Sequence, residues 1–211
     1  MAIDLIGTPL RQHLGRTAPV PFLVGFENIQ KVVMGLKSAE RFSSRSIPAT
    51  YVDLMTPLRQ LYAETRLAKA RGYTASRFSL NKRGGRCEAC EGVGQLKVDM
   101  QLMPDLYIPC DVCLGKRYNF ETLQVTWENY SIADLLALPV EEAGQLLRNI
   151  PTLSTPLQLM QELGLGYLTL GQSFNTLSGG EIQRLKLVSD LVQKTQLTTL
   201  YILDEPSAGL H

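Results

Sequence analysis

A regular pattern of apolar residues runs from Ile182 to Val192. Apolar side chains recur there at steps of three and four, the period of an amphipathic α-helix with one buried face. Just before it, Ser178 and Glu181 have the spacing of a capping box, which predicts a helix beginning at Ser178. The predicted buried face is Leu185, Val188, Leu191 and Val192, and the predicted wet face is Gln183, Arg184, Lys186 and Asp190.

Two short β-prone runs predict strands. Thr199 to Leu203 has little polar interruption, which is typical of a strand buried on both faces of a parallel sheet, and Ile29 to Met34 predicts a second strand. Ligands of parallel α/β sheets collect at the carboxyl ends of strands. Asp204 and Glu205 follow the first of these runs, where an anion for magnesium and a base for an attacking water are needed. We therefore expect an α/β fold.

Strict alternation of apolar and polar residues from Leu96 to Leu102, followed by Pro104-Asp105, predicts a β-hairpin. A Cys-x-x-Cys pair lies on each side of it, a spacing that fits two knuckles closing one tetrahedral zinc site. Four thiolates leave no open position, so the predicted zinc is structural, and a redox pair is the alternative. The candidate ligands are Cys87, Cys90, Cys110 and Cys113.

The rest of the chain is predicted to be largely helical. A helix is expected to begin at Thr56, which would cap it, with Pro57 at the first helical position. Glu121 to Trp127 alternates like a further strand. A helical spacer before Ser178 is predicted from Ser131–Leu138, Glu141–Arg148 and Pro156–Leu163.

Composition narrows the class of protein. The 211 residues, 45% of them hydrophobic, are enough for a globular core, and the net charge of +1 gives no global argument for nucleic acid. No apolar run of membrane-spanning length and no signal-peptide pattern is present, which predicts a cytoplasmic protein with no membrane partner. In that reducing compartment, paired cysteines favour metal over disulfides.

One local charge imbalance stands out, in the stretch from Lys69 to Arg86, which we call the basic stretch. It holds six cations and no acidic residue, with Tyr73 and Phe78 interleaved. Such a patch is suited to neutralising the phosphates of double-stranded DNA, and the alternative is an ordinary solvated face. The candidate DNA-binding residues are Lys69, Arg71, Arg77, Lys82, Arg83 and Arg86.

Five motifs taken together closely resemble the UvrA family, the damage-sensing ABC ATPases of the bacterial excinuclease. The likeness is strong from Ile47 to the C-terminus and corresponds to the second nucleotide-binding half of that family. The motifs are Arg-Gly-Gly-Arg-Cys-Glu-Ala-Cys from Arg83, Pro-Cys-Asp-Val-Cys-Leu-Gly-Lys-Arg-Tyr from Pro109, Leu-Gly-Gln-Ser from Leu170, Thr-Leu-Ser-Gly-Gly-Glu from Thr176 and Leu-Tyr-Ile-Leu-Asp-Glu-Pro from Leu200.

The resemblance implies a partial ABC-ATPase parallel sheet interrupted by a small zinc-binding α+β insertion. It implies DNA damage recognition in nucleotide excision repair, with double-stranded DNA and a UvrB-like protein as partners and a homodimer or a complementing chain supplying a phosphate loop. The expected segments are a nucleotide-binding remnant at 1–50, the zinc-binding and DNA-contacting insertion at 51–128, the helical spacer at 129–175, and the signature and Walker B segment at 176–211.

The resemblance also implies roles for single residues. Asp204 would hold Mg²⁺ and Glu205 would activate water, while the four cysteines would take Zn²⁺. The stretch through Lys69, Arg71 and Arg77 would be the DNA-contacting surface. The signature residues, which would act on ATP bound by the facing half, are Ser178, Gly179, Gly180 and Glu181.

The chain departs from the family pattern in ways that bear on activity. It contains no Gly-x-x-x-x-Gly-Lys-Ser/Thr phosphate loop and no switch histidine after Asp-Glu-Pro, and Lys37 stands where the family has glutamine. We therefore expect no ATP hydrolysis by the isolated chain. Two alternatives stay open: a zinc-bearing interaction module, since Cys87 to Gly94 also matches the DnaJ-type repeat, and a remnant without function.

Overall fold

The computed structural model describes residues 28–35, 43–98, 106–193 and 198–203. The chain divides into two compact units, one formed by Met1–Glu40 with Ser178–His211 and the other by Arg41–Leu177. The helices are α1 (Pro48–Tyr51), α2 (Met55–Ala63), α3 (Arg66–Ala70), α4 (Phe120–Leu123), α5 (Ile132–Ala137), α6 (Val140–Leu146), α7 (Pro151–Glu162) and α8 (Gly179–Val192). The strands are β1 (Lys31–Gly35), β2 (Gln95–Val98), β3 (Leu106–Pro109), β4 (Thr126–Trp127), β5 (Tyr130–Ser131) and β6 (Thr199–Leu203).

The first unit contains a small parallel sheet, which confirms the α/β prediction. β1 and β6 pair in parallel, with Lys31 opposite Thr199 and Gly35 opposite Leu203. Helix α8 lies against β1, and Lys31 Nζ donates to Asp190 Oδ1 at 3.0 Å. Asp204 and Glu205 follow β6 directly in sequence and lie outside the described residues.

Helix α8 begins as the capping box predicts. Ser178 Oγ accepts a hydrogen bond from Glu181 N at 3.3 Å, and Glu181 Oε2 accepts one from Ser178 N at 2.5 Å. Both predicted faces are partly wrong: Gln183 and Arg184 were predicted to be wet and are buried, whereas Leu191 was predicted to be buried and is 38% exposed. Periodicity gives the centre of an apolar stripe, whereas packing decides how far burial extends to either side.

The core of the second unit joins helices from both ends of its sequence. Tyr62 Oη donates to the carbonyl of Tyr130 at 3.0 Å, and Tyr118 Oη donates to the carbonyl of Phe78 at 2.9 Å, so both buried hydroxyls are satisfied. Burial raises the pKa of both tyrosines well above the usual value. The largest fully buried side chains are Ile47, Leu54, Leu58, Tyr62, Phe78, Tyr118, Ile132, Leu135, Leu147, Leu153, Leu157 and Met160.

Three predicted boundaries or elements are wrong. Helix α2 begins at Met55, and Thr56 lies inside it, its hydroxyl donating to Asp53 Oδ1 at 2.8 Å instead of capping. The alternation from Glu121 to Trp127 is not one strand, because Asn119 Oδ1 accepts from Thr122 N and thereby caps α4. Helix α7 begins at Pro151, so the second proline, Pro156, lies within the helix.

The predicted hairpin is present as far as the structure describes it. β2 and β3 pair antiparallel, with Gln95 opposite Pro109 and Val98 opposite Leu106. The predicted turn at Pro104-Asp105 lies outside the described residues. Among the residues described, no helix is both long and apolar enough to cross a membrane.

Candidate metal centre and basic surface

Two segments of the second unit share one backbone conformation. We call residues 87–94 the first knuckle and residues 110–117 the second knuckle. Each carries a Cys-x-x-Cys pair followed by three left-handed residues at equivalent places, so the second knuckle repeats the turns of the first. The equivalent pairs are Glu91 and Leu114 (both φ 50°), Gly92 and Gly115 (φ 82° and 80°), and Gly94 and Arg117 (φ 80° and 68°).

Reciprocal hydrogen bonds join the two knuckles. Cys87 N donates to the carbonyl of Arg117, and Cys110 N donates to the carbonyl of Gly94, each at 2.9 Å. Each knuckle therefore binds the first cysteine of its neighbour through its own last residue. This exchange, together with the β2–β3 ladder, brings the four cysteines to one point.

The four sulfurs form a compact buried cluster. Cys87 Sγ lies 4.0 Å from Cys110 Sγ, Cys90 Sγ lies 3.7 Å from Cys113 Sγ, and all four lie within 4.8 Å of one another. A zinc–sulfur bond of about 2.3 Å in a tetrahedron implies sulfur–sulfur distances of about 3.8 Å, whereas a disulfide needs about 2.05 Å. The donor set and its spacing therefore fit one tetrahedral metal ion.

Burial and local hydrogen bonds shift the pKa of three of the thiols, Cys90, Cys110 and Cys113. Gly94 N donates to Cys90 Sγ at 3.2 Å, yet burial dominates and raises the pKa of Cys90. Burial also raises the pKa of Cys113 to about 12. At Cys110 burial acts in the same direction, but hydrogen bonds from the backbone N–H groups of Cys113 and Val112 outweigh it and lower the pKa. A bound cation would favour the thiolate form at all four positions.

Arg86, beside the first knuckle, is buried and fully engaged in local contacts. Its Nε and Nη2 donate to Glu88 Oε2 at 3.4 and 3.3 Å, and its Nη1 donates to the carbonyl of Asn81 at 3.4 Å. Arg45 adds a further tie, with Nη2 2.7 Å from Glu91 Oε2. Arg86 therefore stabilises the knuckle and does not face solvent.

Two other cations of the basic stretch, Arg71 and Arg77, pack against the segment around α4. Arg71 Nη2 donates to Gln124 Oε1 at 2.7 Å, and Arg77 Nε donates to Thr122 Oγ1 at 2.9 Å. The guanidinium of Arg77 also lies 4.3 Å from the centroid of the Tyr73 ring, a cation–π contact. These side chains are held in fixed positions by the fold.

The remaining three cations of the basic stretch are exposed. Lys69 Nζ pairs with Glu64 Oε2 at 2.5 Å, and both side chains are largely in solvent. Lys82 and Arg83 make no ion pair or hydrogen bond with any side chain that the structure describes. These two exposed charges are available to an anionic partner, although the charge of Arg83 also acts on the nearby carboxylate of Glu88.

The sequence motifs did not single out Arg117 as part of the cluster. Its backbone carbonyl binds Cys87 N, and its guanidinium Nη2 donates to the carbonyl of Gly171 at 2.9 Å. The one available signal was the missing last glycine of the second Cys-x-x-Cys repeat, which leaves arginine in a left-handed conformation. Of the other candidates, Ser178 to Glu181 form the described beginning of α8, and Asp204 and Glu205 fall outside the description.

These observations define an α/β protein with a cysteine cluster able to hold a metal ion. No protein-family model matches the chain. Individual proteins do: the chain is 51% identical to UvrABC system protein A of Xylella fastidiosa (strain 9a5c) over 92% of its own length, and 50% identical to that of Thermus thermophilus over 99%. It spans about a fifth of the length of these curated relatives, 20% and 22% respectively.

A solved structure agrees with the sequence comparison. The crystal structure of UvrA2 from Deinococcus radiodurans superposes with a TM-score of 0.89 at 42% identity, covering 99% of this chain and 26% of that one. Over nearly all of its length, the chain is therefore homologous to one segment of the UvrA proteins.

Proposed function

We propose that the chain acts in DNA damage recognition during nucleotide excision repair, as a UvrA-type segment that binds double-stranded DNA and contributes part of an ABC-type ATP site. The observation that carries this proposal is the match of nearly the whole chain, at about half identity, to UvrABC system protein A. A UvrB-like protein and a second copy or complementing chain are the proposed protein partners. The repair role fits this homology better than the chaperone-like alternative does.

The cysteine cluster is proposed to hold one structural Zn²⁺. Cys87, Cys90, Cys110 and Cys113 would supply all four ligands, which leaves no position for a reacting water. The ion would fix both knuckles and the β2–β3 hairpin between them. In this proposal the residues 51–128 form the zinc-binding insertion, with the nucleotide-binding remnant (1–50), helical spacer (129–175) and signature segment (176–211) around it.

The basic stretch is proposed to contact DNA phosphates, with different parts for its members. Lys82 and Arg83 are exposed and make no described ion pair or hydrogen bond, and Lys69 is exposed in a weak surface ion pair, so these three can reach a phosphate at little cost. Arg71 and Arg77 would support that surface from fixed positions. Arg86 is buried against Glu88, so we assign it to the fold and no longer to the DNA contact.

The beginning of α8 is proposed to act on nucleotide bound by another chain. Ser178 and Glu181 cap each other, and the backbone N–H groups of Gly179 and Gly180, in the first turn of the helix, would be available to an anion. Asp204 would hold Mg²⁺ and Glu205 would activate water. Without a phosphate loop to hold the γ-phosphate, we expect the isolated chain to hydrolyse no ATP above background.

A salt titration of DNA binding tests the central proposal. Each phosphate contact releases counterions, so the slope of log affinity against log salt measures the number of contacts. We expect Arg83→Ala to weaken binding to a labelled duplex and to reduce that slope by about one. Arg148→Ala removes another exposed cation, which lies two residues after α6 and outside the basic stretch, and should change neither quantity.

Two outcomes would reject the DNA proposal. One is an unchanged slope in Arg83→Ala, and the other is an equal loss in the Arg148→Ala control.

A preference for duplexes carrying a bulky lesion over undamaged duplexes of the same length would separate damage recognition from simple electrostatic binding.

A further inference from the structure

Arg117 occupies a backbone position that its counterpart in the first knuckle fills with glycine. Gly94 has φ 80° and Arg117 has φ 68°. Residues with a Cβ are uncommon in this left-handed region, and they persist where surrounding contacts compensate for the strain. The side chain of Arg117 is therefore expected to contribute something that glycine cannot.

The contacts of Arg117 reach the first knuckle and the segment at Gly171. Its carbonyl accepts from Cys87 N, its Nη1 lies 3.5 Å from the carbonyl of Gly92, and its Nη2 donates to the carbonyl of Gly171 at 2.9 Å. A Cβ at Gly94 would lie 2.9 Å from Arg117 Cγ, so the arginine stem packs directly on the turn of the first knuckle. That turn also supplies the N–H group bound to Cys90 Sγ.

The charge of Arg117 lacks a conventional partner. The side chain is partly buried, and no described carboxylate lies within ion-pair distance of its guanidinium. Burying an unpaired cation is unfavourable unless a negative charge lies nearby.

A metal-bound cluster supplies the missing negative charge. Four thiolates around one divalent ion carry a net charge of about −2, and cations next to such ligands stabilise the loaded state. We propose that Arg117 is the counter-ion and positioning residue of the cysteine cluster: it offsets the thiolate charge while fixing the first knuckle against Gly171. This inference rests on the proposed zinc site and adds a residue outside the ligand set.

The test measures zinc affinity in the full chain by competition with a chromogenic chelator. Arg117→Gly removes the side chain and at the same time relieves the backbone strain, so a folded protein is expected. We expect its zinc affinity to fall by about tenfold or more, the usual effect of losing an outer-shell partner. The matched control is Leu114→Gly, which relieves the same kind of strain in the same turn but removes a side chain that is 77% exposed, and should leave affinity unchanged.

Two further variants separate charge from packing. Arg117→Lys keeps the charge and should recover part of the affinity, whereas Arg117→Gln keeps hydrogen-bonding capacity without charge and should not. Equal affinities in these two variants would overturn the counter-ion role, and they decide the question even if circular dichroism shows Arg117→Gly to be unfolded. Equal affinities in Arg117→Gly, Leu114→Gly and the parent would overturn the whole inference.

Cobalt substitution supplies the spectroscopic check. The parent and Arg117→Lys should show the absorption of tetrahedral thiolate-bound Co²⁺ at lower cobalt concentration than Arg117→Gln does. A parent chain that binds neither zinc nor cobalt would reject the zinc site itself, a failure distinct from one confined to the Arg117 variants.

Discussion

The two knuckles have the same turns but different surroundings. In the first knuckle a Cβ at Gly92 would lie 2.4 Å from the carbonyl oxygen of Leu80, so the chain passes too close for any side chain. In the second knuckle nothing lies within 4 Å of the equivalent point at Gly115, although its φ is nearly the same. Gly92 and Gly115 therefore share the same left-handed backbone conformation, but only Gly92 also lacks space for a Cβ. Comparing the two positions separates the effect of backbone conformation from the effect of space.

The surfaces of the knuckles differ as well. Arg86 and Arg45 tie the first knuckle to neighbouring segments through Glu88 and Glu91. The second knuckle instead presents Val112 and Leu114 to solvent. One knuckle is anchored by charge and close packing, and the other depends more heavily on the cysteine cluster and on Arg117.

The largest effect is expected from removing a ligand. Cys110→Ser should abolish stoichiometric zinc and unfold both knuckles locally, because zinc binding of this kind contributes about 10 kcal/mol or more to folding of a small lobe. Metal analysis of the purified protein measures the loss of zinc, and protease sensitivity of residues 87–117 measures the local unfolding. Cys87→Ser should behave alike, and full zinc content in either variant would contradict a shared four-cysteine site.

The next largest effect is expected from alanine substitutions at Gly92 and Gly115, which compare lack of space with backbone conformation alone. Gly115→Ala should cost about 1–2 kcal/mol, the price of a left-handed conformation with a Cβ. Gly92→Ala should cost that amount and about 1–3 kcal/mol more, since its Cβ collides with the carbonyl oxygen of Leu80. Urea unfolding of both variants with zinc present gives the difference, and equal midpoints would mean that the first knuckle can shift to make room.

A smaller difference is expected from the surroundings of the knuckles. Arg86→Ala should destabilise by about 1.5–3 kcal/mol, because it removes charge-assisted hydrogen bonds to Glu88 and Asn81. Leu114→Ser, at the exposed side of the second knuckle, should stay within about 0.5 kcal/mol of the parent. Thermal unfolding of the two variants side by side checks the contrast, and equal losses would show that Arg86 contributes no more than a surface residue.

The smallest effect concerns pH at the second knuckle. Burial acts to raise the pKa of Asp134, but hydrogen bonds from Ser131 and the charge of Lys116 outweigh it and lower the pKa. Its stabilising contribution is therefore present above the unfolded carboxyl pKa of about 3.9 and is lost as pH falls through the lower folded value.

The Asp134 side chain is 46% exposed, so screening by solvent keeps this contribution small. Below about pH 5, the urea midpoint of the parent should fall partly because this carboxyl becomes protonated. Asp134→Asn should remove that part of the fall. An identical profile in parent and variant would assign the acid sensitivity to other groups.

Local patterns predicted much of this molecule, and their failures have physical causes. Cysteine spacing and alternation placed the knuckles and the hairpin because ligand geometry and strand period are local properties. The Glu121–Trp127 alternation failed because the capping bond of Asn119 favoured a helical turn over a strand. The left-handed Arg117 was signalled only by a missing glycine, and its partners could not be predicted, because Gly92 and Gly171 lie 25 and 54 residues away in sequence.

The topology of the small parallel sheet also bears on how the chain assembles. Gln30 and Thr198, which bond at the start of β1 and β6, are 168 residues apart in sequence, so their pairing must close a very long loop. The second unit is continuous in sequence, and its two ends are already joined, with Phe174 N bonded to the carbonyl of Ser46 at 3.3 Å.

If the second unit folds first, the loop that β1 and β6 must close becomes several-fold shorter. The free-energy cost of closing that loop then falls by about 1 kcal/mol. In sequence, β1 precedes the second unit and β6 follows it, so the β1–β6 pair can form only after the second unit has been synthesised. We therefore expect the second unit to fold before the parallel pair closes.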